Sequence, residues 1–203
     1  MALKTRTITE PKVLVVEGKD DKNFFEALIE HLGLRNIQVE DIGGKTQLRD
    51  RLKALVQTPG FPQVTSLGVV RDANNDHDAA FQSVCGALLN AGLRVPERPW
   101  ITVGGEPKVV VVILPKENEN GMLEDLCLEA KISDPAMPCV NQYFECLESQ
   151  GLDPPINLSK ARIHTFLASR RKPDLRLGEA AKKGYWPFED SAFEEVKTFL
   201  QRF

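Results

Sequence analysis

The chain has 203 residues, 42% of them hydrophobic and 27% charged, with a formal net charge of −3. That is the make-up of a globular domain with a sizeable core, and it excludes a disordered or fibrous chain. No apolar run approaches the roughly 20 residues of a membrane helix. The start, Met1-Ala2-Leu3-Lys4-Thr5-Arg6, lacks the apolar stretch of a secretory signal, so a cytoplasmic location without membrane contact is expected.

The first element is the β-branched run Val13-Leu14-Val15-Val16, which ends in Glu17-Gly18-Lys19-Asp20-Asp21. Phe24, Phe25, Leu28, Ile29 and Leu32 then recur at helical spacing, and Gly33 stops the helix. A second strand is expected over residues 37–42. Gly43-Gly44-Lys45 turns the chain into a helix carrying Leu48, Leu52, Leu55 and Val56, and Pro59-Gly60 ends it. The third strand, Leu67-Gly68-Val69-Val70, runs into Arg71-Asp72-Ala73-Asn74-Asn75-Asp76. A helix with Phe81, Val84, Cys85 and Leu88 on one side follows. Trp100-Ile101-Thr102-Val103 and the run 109–114 are expected to be strands, joined by a hairpin or a loop. Leu123, Leu126, Cys127 and Ala130 mark another helical face.

Beyond residue 131 the strand signal ends. Pro135, Pro138, Pro154 and Pro155 punctuate short helices, the last carrying Phe193, Val196, Phe199, Leu200 and Phe203. Alternating β and α segments predict an α/β fold: a largely parallel sheet of about four strands flanked by helices. The expected division is an α/β domain over 1–130 and a helical C-terminal extension over 131–203, packed on it.

Ligands of such folds bind beyond the carboxyl ends of the strands. Glu17, Asp72 and Asp76 are therefore expected to meet there, with Asp21 as a further acid. If the chain leaves the third strand extended, Asp72, Asn74 and Asp76 face the same way. Carboxylates in one cleft repel each other unless a cation joins them, and oxygen ligands suit Mg²⁺ or Mn²⁺. The run Asp72-x-Asn74-x-Asp76 is not an EF-hand, because His77 and Ser83 stand where Gly and Glu are needed. Gly43-Gly44-Lys45-Thr46 is not a phosphate-binding Walker loop, because Val39 stands at the required first Gly. Gly43, Gly44 and Lys45 remain candidates for holding a phosphate by backbone N–H groups and charge, or for a plain tight turn.

Glu124 and Asp125 diverge on a helix, so one of them is available to the cleft; the other reading is an acidic first turn. His77 is expected at the surface. The four cysteines show no Cys-x-x-Cys spacing and read as mostly buried reduced thiols. Residues 160–183 hold eight basic residues against two acids, a net +6 that leaves −9 for the rest of the chain. Arg170, Arg171 and Lys172 in this arm are candidates for contacting a nucleic-acid backbone, with a solvated helical face as the plainer reading.

Glu17-Gly18-x-x-Asp21 after one strand and Asp72-x-Asn74-x-Asp76 after another resemble the Toprim domain. Ile42-Gly43-Gly44-Lys45, Leu123-Glu124-Asp125-Leu126 and Gly184-Tyr185-Trp186-Pro187 resemble, over nearly the whole chain, a small Toprim-like family of unknown function related to OLD-family nucleases. The resemblance implies a parallel sheet between helices and Glu17 as general acid or base. It implies Mg²⁺ on Asp72 and Asp76, with Glu124 as the later metal-binding glutamate. Asn74 departs from the usual middle Asp and removes one negative charge, which leaves one or two metals open. The expected function is a metal-dependent phosphodiesterase acting on DNA or RNA. The alternatives are a non-catalytic module that binds nucleic acid or nucleotide, and a subunit of a larger repair or defence assembly with a protein partner.

Overall fold

The computed structural model describes residues 7–203 and, for Lys45, the backbone alone. Four strands form one parallel sheet: β1 (Lys12–Val16), β2 (Ile37–Asp41), β3 (Ser66–Asp72) and β4 (Lys108–Leu114), in the order β2-β1-β3-β4. The strands read as near-continuous apolar runs because helices cover both faces. In β4, alternate side chains divide between two cores. Val110, Val112 and Leu114 enter one, and Val109, Val111 and Ile113 enter the other.

Helices α2 (Leu48–Leu55) and α3 (His77–Asn90) cover the second of these faces with Leu48, Leu52, Phe81, Val84 and Leu88. The other face receives α1 (Lys19–His31), α4 (Leu123–Glu129), α5 (Met137–Ser149), α6 (Leu158–Ala168), α7 (Leu177–Lys182) and α8 (Glu194–Arg202). Ile163, Phe166, Leu177, Trp186, Phe193, Phe199 and Phe203 share that core with Leu14, Val16 and Phe24. The C-terminal helices thus complete the core over one whole face of the sheet. No helix among the described residues is long and apolar enough to cross a membrane.

Residues 100–103 are not the expected strand. A single antiparallel bridge joins Val103 to Val109, and Trp100, at φ 66°, donates its N–H to the Val111 carbonyl. The left-handed backbone at Trp100 prevents a continuous ladder along the β4 edge. Of the four cysteines, Cys85 and Cys127 are buried while Cys139 and Cys146 are exposed on α5, so the expected burial holds for two.

Candidate functional site

Parallel pairing of β1 with β3 aligns Val15 with Val69, so the two strands end side by side. The chain leaves them at Glu17 and Asp72. A cleft of about 410 Å³ opens there, with Glu17, Asp20, Asp21, Asp72 and Glu124 among its lining residues. Lys160 and His164 from α6, and Arg176 just before α7, complete it. The basic arm therefore reaches the acids through Lys160 and Arg176, which the sequence reading counted only as part of a charge run, while His164 lies outside that count. The +6 segment was the one signal that could have found those two cations.

Each acid has its own surroundings. Glu17 accepts the Gly44 N–H on its main-chain carbonyl at 2.8 Å, which ties the β2 exit loop to the β1 exit. Its Oε2 is buried without a hydrogen-bond partner among the described residues. Asp21 accepts the Gly18 N–H at 2.8 Å. Burial, with the charges of Glu124, Glu17 and Asp20, pushes Asp21 up to about 6 against that hydrogen bond. Asp72 accepts the Leu123 N–H on Oδ1 at 3.0 Å. Its pKa lies well above the usual carboxylate range, first through burial and then through Asp21, Glu124 and Glu17. Glu124 faces Lys160 at 3.8 Å, and burial raises it in spite of that partner. Asp20, also in the cleft lining, accepts the Gly178 N–H at 2.8 Å on Oδ1.

Other candidates lie apart from the cleft. β3 stops at Asp72, and Asn74 turns left-handed at φ 54°, so the alternation expected to bring Asp72, Asn74 and Asp76 together is lost. Asn74 exchanges backbone hydrogen bonds with Gly121, at 2.7 Å each, and its Nδ2 donates to the Asp72 carbonyl at 3.3 Å. Asp76 is exposed and caps α3 by accepting the Ala79 N–H at 2.8 Å. Asp125 accepts the Met122 N–H at 2.8 Å and the Ser159 hydroxyl at 2.5 Å.

Gly44 reaches the cleft with its N–H already donated to Glu17, so that N–H is not offered to a phosphate. Gly43 is exposed in the same turn, and the side chain of Lys45 lies outside the described residues. Arg170 is drawn inward, pairing with Asp134 at 3.0 Å and stacking 4.2 Å from the Phe166 ring centre. Arg171 and Lys172 are exposed and do not line the cleft. His77, expected at the surface, is only 7% exposed. As the first residue of α3, its N–H donates to Asn120 Oδ1, and its Nε2 has no partner among the described residues. Among the described residues no group of three or more His, Cys, Asp or Glu side chains is arranged to hold a metal ion.

The C-terminal region of the Xanthomonas campestris pv. campestris OLD protein, in a structure phased with mercury, has a similar fold. The TM-score is 0.50 at 14% identity, over 95% of each chain. A second structure of that region, phased with platinum, aligns over the same shares with a TM-score of 0.41 and 15% identity. At such identity the likeness shows the fold alone. No curated protein matches the chain. A family profile, described as "Protein of unknown function (DUF3226)", matches residues 11–203. It spans the strand ends, the acids and the helices that carry the cations, and the chain belongs to this family.

Proposed function

We propose that the chain is a metal-dependent phosphodiesterase acting on DNA or RNA through a Toprim-type acidic cleft. The observation that carries the reading is the crowding of Glu17, Asp21, Asp72 and Glu124 at one pair of strand ends. Three of the four are raised by burial, and an oxygen of the fourth is buried and unpartnered. Carboxylates gathered at this cost fit a hard divalent cation, because every donor is an oxygen. Mg²⁺ or Mn²⁺ is the fitting class. Asp72 and Glu124 would hold it with Asp21 beside them, but these carboxylates are not spaced as a ligand set in the structure and would have to draw together on the ion. Asp76 caps a helix and Asn74 is bound up in its own turn, so neither would join them.

When bound, the cation supplies charge neutralisation and polarisation at the phosphate. Glu17 moves the proton, taking it from water or giving it to the leaving oxygen. Lys160, His164 and Arg176 bind the phosphate backbone from the facing wall. The test is incubation of the purified chain with single-stranded RNA and DNA and supercoiled plasmid in Mg²⁺, Mn²⁺ or EDTA, beside Glu17→Gln. Cleavage is expected to need metal and to fall by about 10²–10⁴ in the variant, the usual range for a lost general acid or base. Cleavage in EDTA, or an unimpaired Glu17→Gln, refutes the mechanism.

A second reading is a binding module without turnover. It is favoured by the neutral amide at Asn74 and the capping role of Asp76, which leave fewer charges for cations. It predicts saturable Mn²⁺ binding and salt-dependent nucleic-acid binding with no product under any metal.

A further inference from the structure

We infer that the cleft takes one nucleotide unit of a flexible single strand and excludes intact duplex; this rests on the phosphodiester reading above. The acids stand at the inner side of the cleft. Glu17, Asp21, Asp72 and Glu124 are all half-buried, with the Glu124 side chain 15% exposed. A reacting phosphate must therefore descend between walls rather than touch a surface.

The facing wall is fixed. Gly178, at the start of α7, sits so close to α1 that a Cβ there would lie 2.1 Å from the Asp20 carbonyl oxygen. Lys182 grips Asn23 and Glu26 of the same helix at 2.8 and 2.6 Å. Trp186 stacks on Phe166 of α6 and donates Nε1–H to the Leu177 carbonyl at 2.9 Å, which joins the two helices of the wall.

Between these walls lies about 410 Å³, towards the small end of ligand sites, which run to roughly 300–1,000 Å³. A duplex carries its phosphates on a rod that stays stiff over about 150 base pairs, so it does not fold one phosphate into such a space without paying to bend or open. A single strand bends at every nucleotide. Lys160 and Arg176 supply cations along the wall, with His164 beside them, and among the described residues no Phe, Tyr or Trp lines the cleft to stack bases. The grip is electrostatic, so little sequence preference is expected.

The test measures anisotropy of a labelled short single strand, and of the same strand annealed into blunt duplex, on Glu17→Gln protein in Mg²⁺. The single strand is expected to bind on the order of ten-fold more tightly. Lys160→Ala and Arg176→Ala are each expected to lower its salt slope by about 0.7. Duplex binding that is equal or tighter overturns the inference, as does no binding to either probe. Wild-type protein that cuts closed circular duplex as fast as single strand also overturns it and leaves the nuclease reading standing. Single strand that is bound but never cut by wild type in Mg²⁺ or Mn²⁺ refutes the nuclease reading and leaves the inference standing.

Discussion

At the scale of single residues, a carboxylate's task depends on what its neighbours have already satisfied. Asp72 and Asp76 are four positions apart in one acidic run, yet Asp72 stays in the cleft while Asp76 holds the first turn of α3. Asp76→Ala is expected to cost about 1 kcal/mol in chemical denaturation through the lost cap, and Asp76→Asn only a few tenths, since Asn caps equally well. Neither change is expected to alter Mn²⁺ affinity. A clear loss of Mn²⁺ binding in Asp76→Asn would return that carboxylate to the site. Glu17 is the converse case, with a buried oxygen that no described residue satisfies. An unpaired buried polar atom is costly, which is why Glu17 is the residue on which the activity test turns.

Among the elements, the seam between α1 and α7 decides whether a cleft exists. Both acids of the first turn of α1 are used: Asp21 faces the cleft, and Asp20 takes the Gly178 N–H. Gly178→Ala places a methyl group against backbone, which cannot swing aside as a side chain can. The expected loss is roughly 1–3 kcal/mol, as for other overpacked sites, with earlier thermal unfolding and faster proteolysis of the C-terminal helices. Stability equal to wild type would show that the seam is looser than its geometry. The pair Arg170–Asp134 works at the same scale. Burial raises Asp134, but the Ala136 N–H and the Arg170 guanidinium outweigh it and hold the carboxyl below its usual value. Its stabilising contribution is present above the ordinary Asp pKa and is lost as pH falls through the lowered one.

In the whole molecule, the cleft acids make stability depend on pH in the opposite sense. Asp21 titrates near 6 when folded against 3.8 as its ordinary value, and Asp72 and Glu124 shift the same way. Between those values the folded chain binds more protons than the unfolded one, so these groups lower stability as pH rises. Without metal, the thermal midpoint is expected to rise as pH is lowered from 7 to about 5, before the loss at Asp134 sets in. Mg²⁺ or Mn²⁺ competes with those protons, so its stabilising effect is expected to be larger at pH 7.5 than at pH 5.5. A midpoint that does not move over this range without metal would mean that the acids are hydrated in solution.

Much of this was legible in the chain itself. Val13–Val16 and residues 109–114 are short β-branched runs, and the helical faces between them alternate with the strands, because a sheet covered on both sides needs apolar residues on both faces. Glu17 and Asp72 could be placed at strand ends for the same reason. The left-handed turns at Asn74 and Trp100 were not legible, because neither residue type demands a positive φ and the partners that hold it, Gly121 and Val111, are distant in sequence. Those turns decided that Asp76 caps a helix and that residues 100–103 form no strand. The partner of the His77 N–H is likewise distant in sequence, the side-chain oxygen of Asn120. The sequence by itself determined the sheet, its faces and the acids at its ends, since these follow from periodicity and strand polarity. Only the tertiary structure decided which acids share the cleft and which cations face them, since both depend on how α6 and α7 dock across the strand ends.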